Sequence, residues 1–352
     1  MNKKLLIAAV GAALVAGPML AAQADTTVYG HFHESLDHYD NGGTTEKGLL
    51  NNNSSRFGIK GNEDLGGGLK TIYQVESGIF GADDGSGGST AGQLGFGGQL
   101  RNTYMGFAGS SWGSVKFGRH DAPVKDLSRK IDAFNEEIGD LRNGIGYGGF
   151  DNRVSNMMRY DSPSFAGVQF ALLYGASEVN TDVRTTSGNV TWTQGPIYLG
   201  LGYEVQKAHS TALKDVSDMR LVGMFNVTSD FYLAAIYDNV SNILGTDGND
   251  GKTWGVGAGF KMANNLFKFQ YANVDKTDKS TTDNGASFWV VGVDHNFSKT
   301  TKVYFDYAKV KNADGQNANI SSSTGGHGTV AVPAVALGKD PKGYSLGMVV
   351  NF

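Results

Sequence analysis

Between Lys252 and Ala263 the chain alternates strictly. Trp254, Val256, Ala258, Phe260 and Met262 are apolar, and Thr253, Gly255, Gly257, Gly259 and Lys261 fall between them. Ile197, Leu199, Leu201, Tyr203 and Val205 repeat the pattern against Tyr198, Gly200, Gly202, Glu204 and Gln206. Phe267, Phe269 and Tyr271 continue it, and the last residues end on it: Tyr344, Leu346, Met348, Val350 and Phe352. A period of two over about ten residues predicts strands with one apolar face and one polar or small face.

That pattern suits a soluble sandwich, whose apolar faces meet in a core, or a membrane barrel, whose apolar faces meet lipid. Three features favour the barrel. The segments reach about ten residues, enough to cross a bilayer at a tilt, whereas strands of globular proteins average about five or six. Aromatic residues mark the ends of the apolar faces, as an interfacial girdle requires. The opposite faces carry glycine and charge, which a dry core would not tolerate.

The connections alternate in length. Short ones are 62–68, 109–112, 161–167, Gln194-Gly195, 228–230, Asn264-Asn265 and 298–300. Long ones fall near 39–53, 81–99, 120–152, 177–186, 207–216, 241–251, 276–284 and 312–342. Strict alternation gathers the long loops at one end of the barrel. Seven turns and eight loops join 16 strands, with both termini at the short-turn end. The expected fold class is therefore all-β: a 16-stranded antiparallel transmembrane barrel over 25–352.

Composition narrows the picture further. With 51 Gly, 19 Phe, 15 Tyr and no Cys among 352 residues, the chain is neither disordered nor dependent on disulfide, thiolate or cysteine-metal chemistry. Residues 1–24 read as a cleaved signal: Lys3 and Lys4, an apolar run from Leu5 to Leu20, then Ala22-Gln23-Ala24. Its removal leaves 28 basic and 34 acidic residues, a net charge of −6. No clustered basic surface points to nucleic acid. His31 and His33 share one face of the first strand, but the sequence offers no identifiable third ligand, so no metal and no cofactor is expected. No G-x-S-x-G motif is present.

In their order along the chain, these segments resemble the general porins of Gram-negative bacteria, the 16-stranded trimeric type of beta- and gamma-proteobacteria. The resemblance rests on Ser55-Arg56-Phe57-Gly58-Ile59-Lys60-Gly61 running into Glu63-Asp64-Leu65-Gly66-Gly67-Gly68, on Tyr104-Met105-Gly106-Phe107, and on Gly113-Ser114-Val115-Lys116-Phe117-Gly118-Arg119. It also rests on Arg159-Tyr160-Asp161-Ser162-Pro163, Phe297-Ser298-Lys299-Thr300 and the terminal Phe352. It implies a water-filled diffusion channel in the outer membrane for ions and small hydrophilic solutes. It also implies a homotrimer surrounded by lipid and lipopolysaccharide, with Phe352 read by the barrel-assembly machinery. The second loop, 81–99, would reach a neighbouring subunit. The alternatives are a barrel enzyme of phospholipase or protease type, a structural or adhesive barrel without an open pore, and an exported soluble β-protein.

The resemblance further implies that the third loop, 121–152, folds into the barrel. Leu127, Ile131, Phe134, Ile138 and Leu141 recur at helical spacing, predicting a short amphipathic helix on the inner wall. The loop carries Asp121, Asp126, Asp132, Glu136, Glu137, Asp140 and Asp151 against Lys125, Arg129, Lys130 and Arg142. Strand alternation turns Arg56, Lys60, Arg153 and Arg159 into the lumen. Arg101 and Arg119 match family positions near the constriction, although plain alternation puts both on the apolar face. A bulge at Gly118 would re-aim Arg119. The expected constriction therefore opposes a basic wall (Arg56, Lys60, Arg101, Arg119, Arg153, Arg159) to an acidic loop (Asp121, Asp126, Asp132, Glu136, Glu137, Asp140) across the opening.

Overall fold

The computed structural model describes residues 24–43, 46–79, 100–143, 149–177, 184–210, 212–321, 327 and 333–352. Apart from Ala24, the expected signal lies outside the described residues, as does the second loop, 81–99. The strands are β1 (Asp25–Asp40), β2 (Glu46–Asn52), β3 (Arg56–Asp64), β4 (Leu69–Gly78), β5 (Thr103–Gly109) and β6 (Gly113–Asp121). Next come β7 (Arg153–Asp161), β8 (Val168–Gly175), β9 (Arg184–Gln194), β10 (Ile197–Lys207), β11 (Val216–Asn226) and β12 (Phe231–Ser241). The series ends with β13 (Gly251–Met262), β14 (Asn265–Val274), β15 (Ala286–Asn296), β16 (Thr301–Asn312) and β17 (Lys342–Asn351).

Every neighbouring pair is antiparallel, and β1 closes the sheet against β17 in the register Phe32↔Val350 and Leu36↔Leu346. β2 and β3 are two halves of one barrel strand. β2 pairs with residues 34–40 of β1 and β3 with residues 25–31. Counted this way, the barrel has 16 strands. The break falls at Asn53-Ser54-Ser55, where Ser54 takes a left-handed φ of 58°. Polar side chains absorb the backbone groups it releases: Asn52 accepts from the Ser55 N–H, and Asn53 donates to Ser35 Oγ.

The alternation read from sequence is the alternation of the faces. On β11, Leu221 is 50% exposed and Val222 1%. Leu199 and Leu201, Trp254 and Val256, Phe267 and Phe269, and Leu346 and Met348 are all exposed on the outer face. Inward-facing Asp218, Arg220, Asp238 and Asp306 are fully buried. This inverts a soluble protein: the apolar side faces outward, the arrangement that only a lipid environment stabilises.

One connection differs from expectation. The first long loop, expected over 39–53, is shorter than that, because β2 stays paired with β1 although Glu46-Lys47-Gly48-Leu49-Leu50-Asn51-Asn52 does not alternate cleanly. Here the hydrogen-bond ladder, not side-chain patterning, carries the strand. At the other end of β1, Gly30 and Phe352 exchange backbone hydrogen bonds of 3.0 and 3.1 Å, and Phe32 stacks on the Phe352 ring. The terminal Phe is thus built into the closing seam.

Candidate functional site: the third loop and the inner wall

The third loop begins with helix α1, Pro123–Ile131. Pro123 stands in its first turn, Asp126 adds an acidic residue there, and Arg129 and Lys130 close the last turn, each suited to the helix dipole. The helix stops ten residues before the end of the expected stripe. Asp132 turns back on the chain, its carboxylate accepting from the N–H groups of Phe134 and Leu141. Asp140 accepts from the Glu136 and Arg142 N–H groups and from the Arg142 guanidinium. Glu136 and Gly139 adopt left-handed φ values of 65° and 75°. Side-chain competition for backbone donors ends the helix, as short acidic residues commonly do.

The apolar stripe nevertheless packs as one surface. Leu127, Ile131, Phe134, Ile138 and Leu141 are buried against Ala234, Ile236, Ala272, Phe288 and Val290, all on inward positions of the wall. Gly200 and Gly202 make room for it, since a Cβ there would lie 2.7 and 2.8 Å from the Leu127 methyls. The glycines that looked merely small in sequence are the seat of the helix.

The loop's acids meet wall bases in direct contact. Glu136 receives Arg56 at 2.8 Å, Arg129 at 3.1 Å and Arg101 at 3.4 Å, with His31 Nε2 at 3.5 Å. Arg101 also holds Glu76 at 2.7 Å. Asp121 takes Lys125 at 2.9 Å, Arg153 at 3.2 Å and Arg129 at 3.4 Å. Arg159 binds Asp126 at 2.7 Å and Asp161 at 2.6 Å. Across the barrel, Glu137 is gripped by Lys268 and, at 2.6 Å, by Lys302, and both lysines share Asp294. At the loop's end Asp151 forms a two-pronged pair with Arg220 at 3.0 Å, and Arg220 holds Asp238 at 2.7 Å.

The two charged rows are therefore zipped together where the sequence reading placed them on opposite sides of a gap. The physical reason is burial. Glu136, Glu137 and Asp121 side chains are about 3–5% exposed, and a carboxylate taken from water is tolerable only with close partners. Burial alone would raise the Glu136 carboxyl, but Arg56, Arg129 and Arg101 hold it well below the usual carboxylate range. Glu137 is likewise held low, because Lys268 and Lys302 outweigh burial. Burial pushes the Asp132 carboxyl well above its ordinary value, reinforced by Asp140. Burial also lowers the Lys125 ammonium to about 8, despite Asp121.

Not every expected residue joins this arrangement. Asp132 and Asp140 serve the loop's own backbone. Lys60 is exposed in the lumen and lies 5.1 Å over the Tyr29 ring. The strand register does shift between Gly118 and His120, as a bulge at Gly118 would require. Arg119 then spends its guanidinium on the Leu100 carbonyl and the Ser155 hydroxyl. Arg101 lies just before β5, outside any regular strand, so alternation does not govern it. Sequence reasoning missed Lys268, Lys302 and Arg220. Each stands on an inward position visible in the alternation, but nothing in sequence says which inward charge lies at the loop's height.

The last long loop also enters the site. His327 is fully buried, its Nε2 2.8 Å from Asp37 Oδ2 and its Nδ1 3.3 Å from the Glu136 carbonyl. Nearby, Gly139 N–H donates to the Ile320 carbonyl. Burial opposes charging of His327, but Asp37 prevails and raises it above 6.5. A raised histidine stabilises fully below its ordinary value, and the contribution fades as pH climbs through the raised one. The latch should loosen under alkaline conditions. Hydrogen exchange at Gly139 should accelerate with pH beyond the intrinsic rate, and His327→Gln should remove that excess dependence.

A closed barrel, apolar outside and charged within, carrying a loop clamped across its interior, defines an outer-membrane channel protein. A family description of Gram-negative porins matches residues 7–315. The chain belongs to that family and is an outer-membrane protein of a Gram-negative bacterium. It is 31% identical to an outer membrane porin protein of Bordetella pertussis over 57% of this chain and 59% of that one. It is 29% identical to outer membrane porin protein 32 of Delftia acidovorans over 98% and 99% of the two chains. Among solved structures, an anion-selective porin from Comamonas acidovorans superposes with a TM-score of 0.75 at 24% identity, over 94% of this chain and all of that one. OmpT of Vibrio cholerae, in a trimer form, superposes with a TM-score of 0.66 at 15% identity, over 94% of this chain and 99% of that one. Family and relatives point to a channel rather than an enzyme.

Proposed function

We propose that this porin is a homotrimeric diffusion channel for small hydrophilic solutes and ions, narrowed by the third loop and favouring anions at that point. One observation carries the preference: where Arg56, Arg129 and Arg153 meet Glu136 and Asp121, the bases reach the lumen and the two acids do not. Arg56, Arg129 and Arg153 side chains are 18, 22 and 13% exposed, whereas their partners Glu136 and Asp121 are 4 and 5% exposed. Around these two acids and Glu76 stand Arg56, Arg101, Lys125, Arg129 and Arg153, five cations to three carboxylates. Next to this cluster Asp126 and Asp161 stay more open, at 37 and 25%, and the buried Arg159 pairs both. An ion passing the Glu136 and Asp121 clusters therefore meets guanidinium groups first. Low-dielectric walls focus that potential into the opening. The anion selectivity in the name of the Comamonas protein supports the reading.

The trimer is supported by the outer face of β1, where His38 stacks on Tyr344 at 5.0 Å and Glu34 joins the outward row of Phe32 and Leu36. A carboxylate there is costly against lipid and inexpensive against protein. The terminal seam at Phe352 fits the role of an assembly tag. The test is conductance of the purified protein in a planar bilayer under a salt gradient. Openings in groups of three with an anion-selective reversal potential are expected. A folded barrel without conductance, or one selecting cations, overturns the proposal.

A further inference from the structure

His31 and His33 lie two residues apart on one face of β1 and point toward the third-loop tip, where Glu136 completes a group of three. Their ligand atoms all lie within 4.8 Å of one another. His31 Nε2 and His33 Nδ1 are buried and take no hydrogen bond. The opposite nitrogens are both spent. His31 Nδ1 lies 2.7 Å from Asn351 Oδ1, and His33 Nε2 lies 2.9 Å from Tyr304 Oη. Because a side-chain carbonyl only accepts, Asn351 fixes the proton on His31 Nδ1 and leaves a lone pair on Nε2. His33 is fully buried, so its unpaired nitrogen calls for an occupant.

We propose that His31, His33 and Glu136 form a binding site for a borderline divalent transition metal of the zinc or copper class, joining the first strand to the tip of the third loop. Two imidazoles and one carboxylate on one side of a metal leave a further position open to water or solute, a ligand set that zinc adopts. Each ring already has the outer partner that orients a metal-bound histidine. Metal bonds of about 2.0–2.1 Å place ligand atoms roughly 3.3 Å apart, so loading draws the widest pair together by at most about 1.5 Å. The partly exposed ring of His31, 15% exposed, gives access from the lumen.

The surrounding charge sets the selectivity. Arg56, Arg101 and Arg129 all point at Glu136 and repel a cation. A hard ion such as Ca²⁺ or Mg²⁺, which gains mainly from anionic oxygen, finds one shared carboxylate and is excluded. A metal that gains from neutral imidazole is not.

The test is zinc uptake by the folded, detergent-solubilised protein, by titration calorimetry and elemental analysis, in excess Ca²⁺. About one zinc per chain is expected. His31→Ala and His33→Ala should each weaken binding about tenfold or more, while His209→Ala, which removes an exposed loop histidine, should not. Absence of uptake, or uptake unchanged in both site variants, overturns the proposal. Should either variant fail to fold, X-ray absorption of the zinc-loaded wild-type protein decides. Two imidazoles and an oxygen support the site, and fewer than two imidazoles overturn it.

Discussion

Arg220→Met is expected to destabilise the barrel by about 3–5 kcal/mol, the usual cost of removing one partner from a buried charge network. Arg220 is fully buried and serves three carboxylates: Asp151 and Asp238 through paired contacts of 2.7–3.0 Å, and Asp218 at 3.3 Å. It also donates to the Val124 carbonyl at the start of α1. One guanidinium thus joins β11, β12 and both ends of the third loop. Methionine fills much of the volume and leaves three buried acids facing one another. Burial would raise Asp151, but Arg220 above all, with help from Ser128 and Arg142, holds it low in the intact protein. A depressed carboxyl contributes stability above its ordinary value and loses it as pH falls through the lowered one. In the variant that contribution is gone, so the difference from wild type should be largest near neutrality and shrink in acid. The midpoint of urea unfolding, read by the electrophoretic shift between folded and unfolded barrel, measures it. Combining Arg220→Met with Asp151→Asn and Asp238→Asn should recover much of the loss, because the charges are then removed together. Arg184→Met, at an exposed position, should shift the midpoint little.

The different reach of sequence reasoning follows from what period two encodes. Alternation fixes the face of each side chain, so the outward rows of β10, β13, β14 and β17 and the inward rank of Arg56 and Arg159 were legible. It says nothing about height along the barrel axis, which depends on strand stagger. Lys268 and Arg220 were therefore visible as inward charges yet unassignable to the loop, while Lys60 was equally inward and lies away from it. The apolar spacing of Leu127 to Leu141 identified the buried stripe correctly but overstated the helix. The Asp132 carboxylate and the left-handed Glu136 redirect the backbone without disturbing which residues are apolar. The meeting of His31 and His33 with Glu136 lay out of reach for another reason: it joins a strand near the N-terminus to the tip of a loop a hundred residues later.

Replacing Arg56 and Arg153 together by glutamine is expected to move the channel toward cation preference, with the third loop still seated. At roughly 6 Å in water, one unit charge changes an ion's energy by about 0.7 kcal/mol. The change has opposite sign for anion and cation, so each base removed lowers the anion-to-cation ratio about tenfold at low salt. Screening compresses the effect as ionic strength rises toward the Debye regime of about 10 Å. The reversal potential under a dilute potassium chloride gradient should shift by an amount that shrinks in concentrated salt. The loop should hold because Glu136 keeps Arg101 and Arg129, Asp121 keeps Lys125 and Arg129, and Glu137 remains between Lys268 and Lys302. Single-channel conductance in concentrated salt, where charge is screened and bore dominates, should therefore change far less than selectivity. Lys268→Gln supplies the contrast. That lysine is 1% exposed and an ion in the lumen does not meet it, but its loss leaves Glu137 and Asp294 with Lys302 alone. It should destabilise the loop's far anchor and make conductance noisy while leaving the sign of selectivity in place. If the lysine variant moves the reversal potential as much as the arginine pair does, selectivity comes from the summed charge of the barrel and not from the bases that emerge beside the loop.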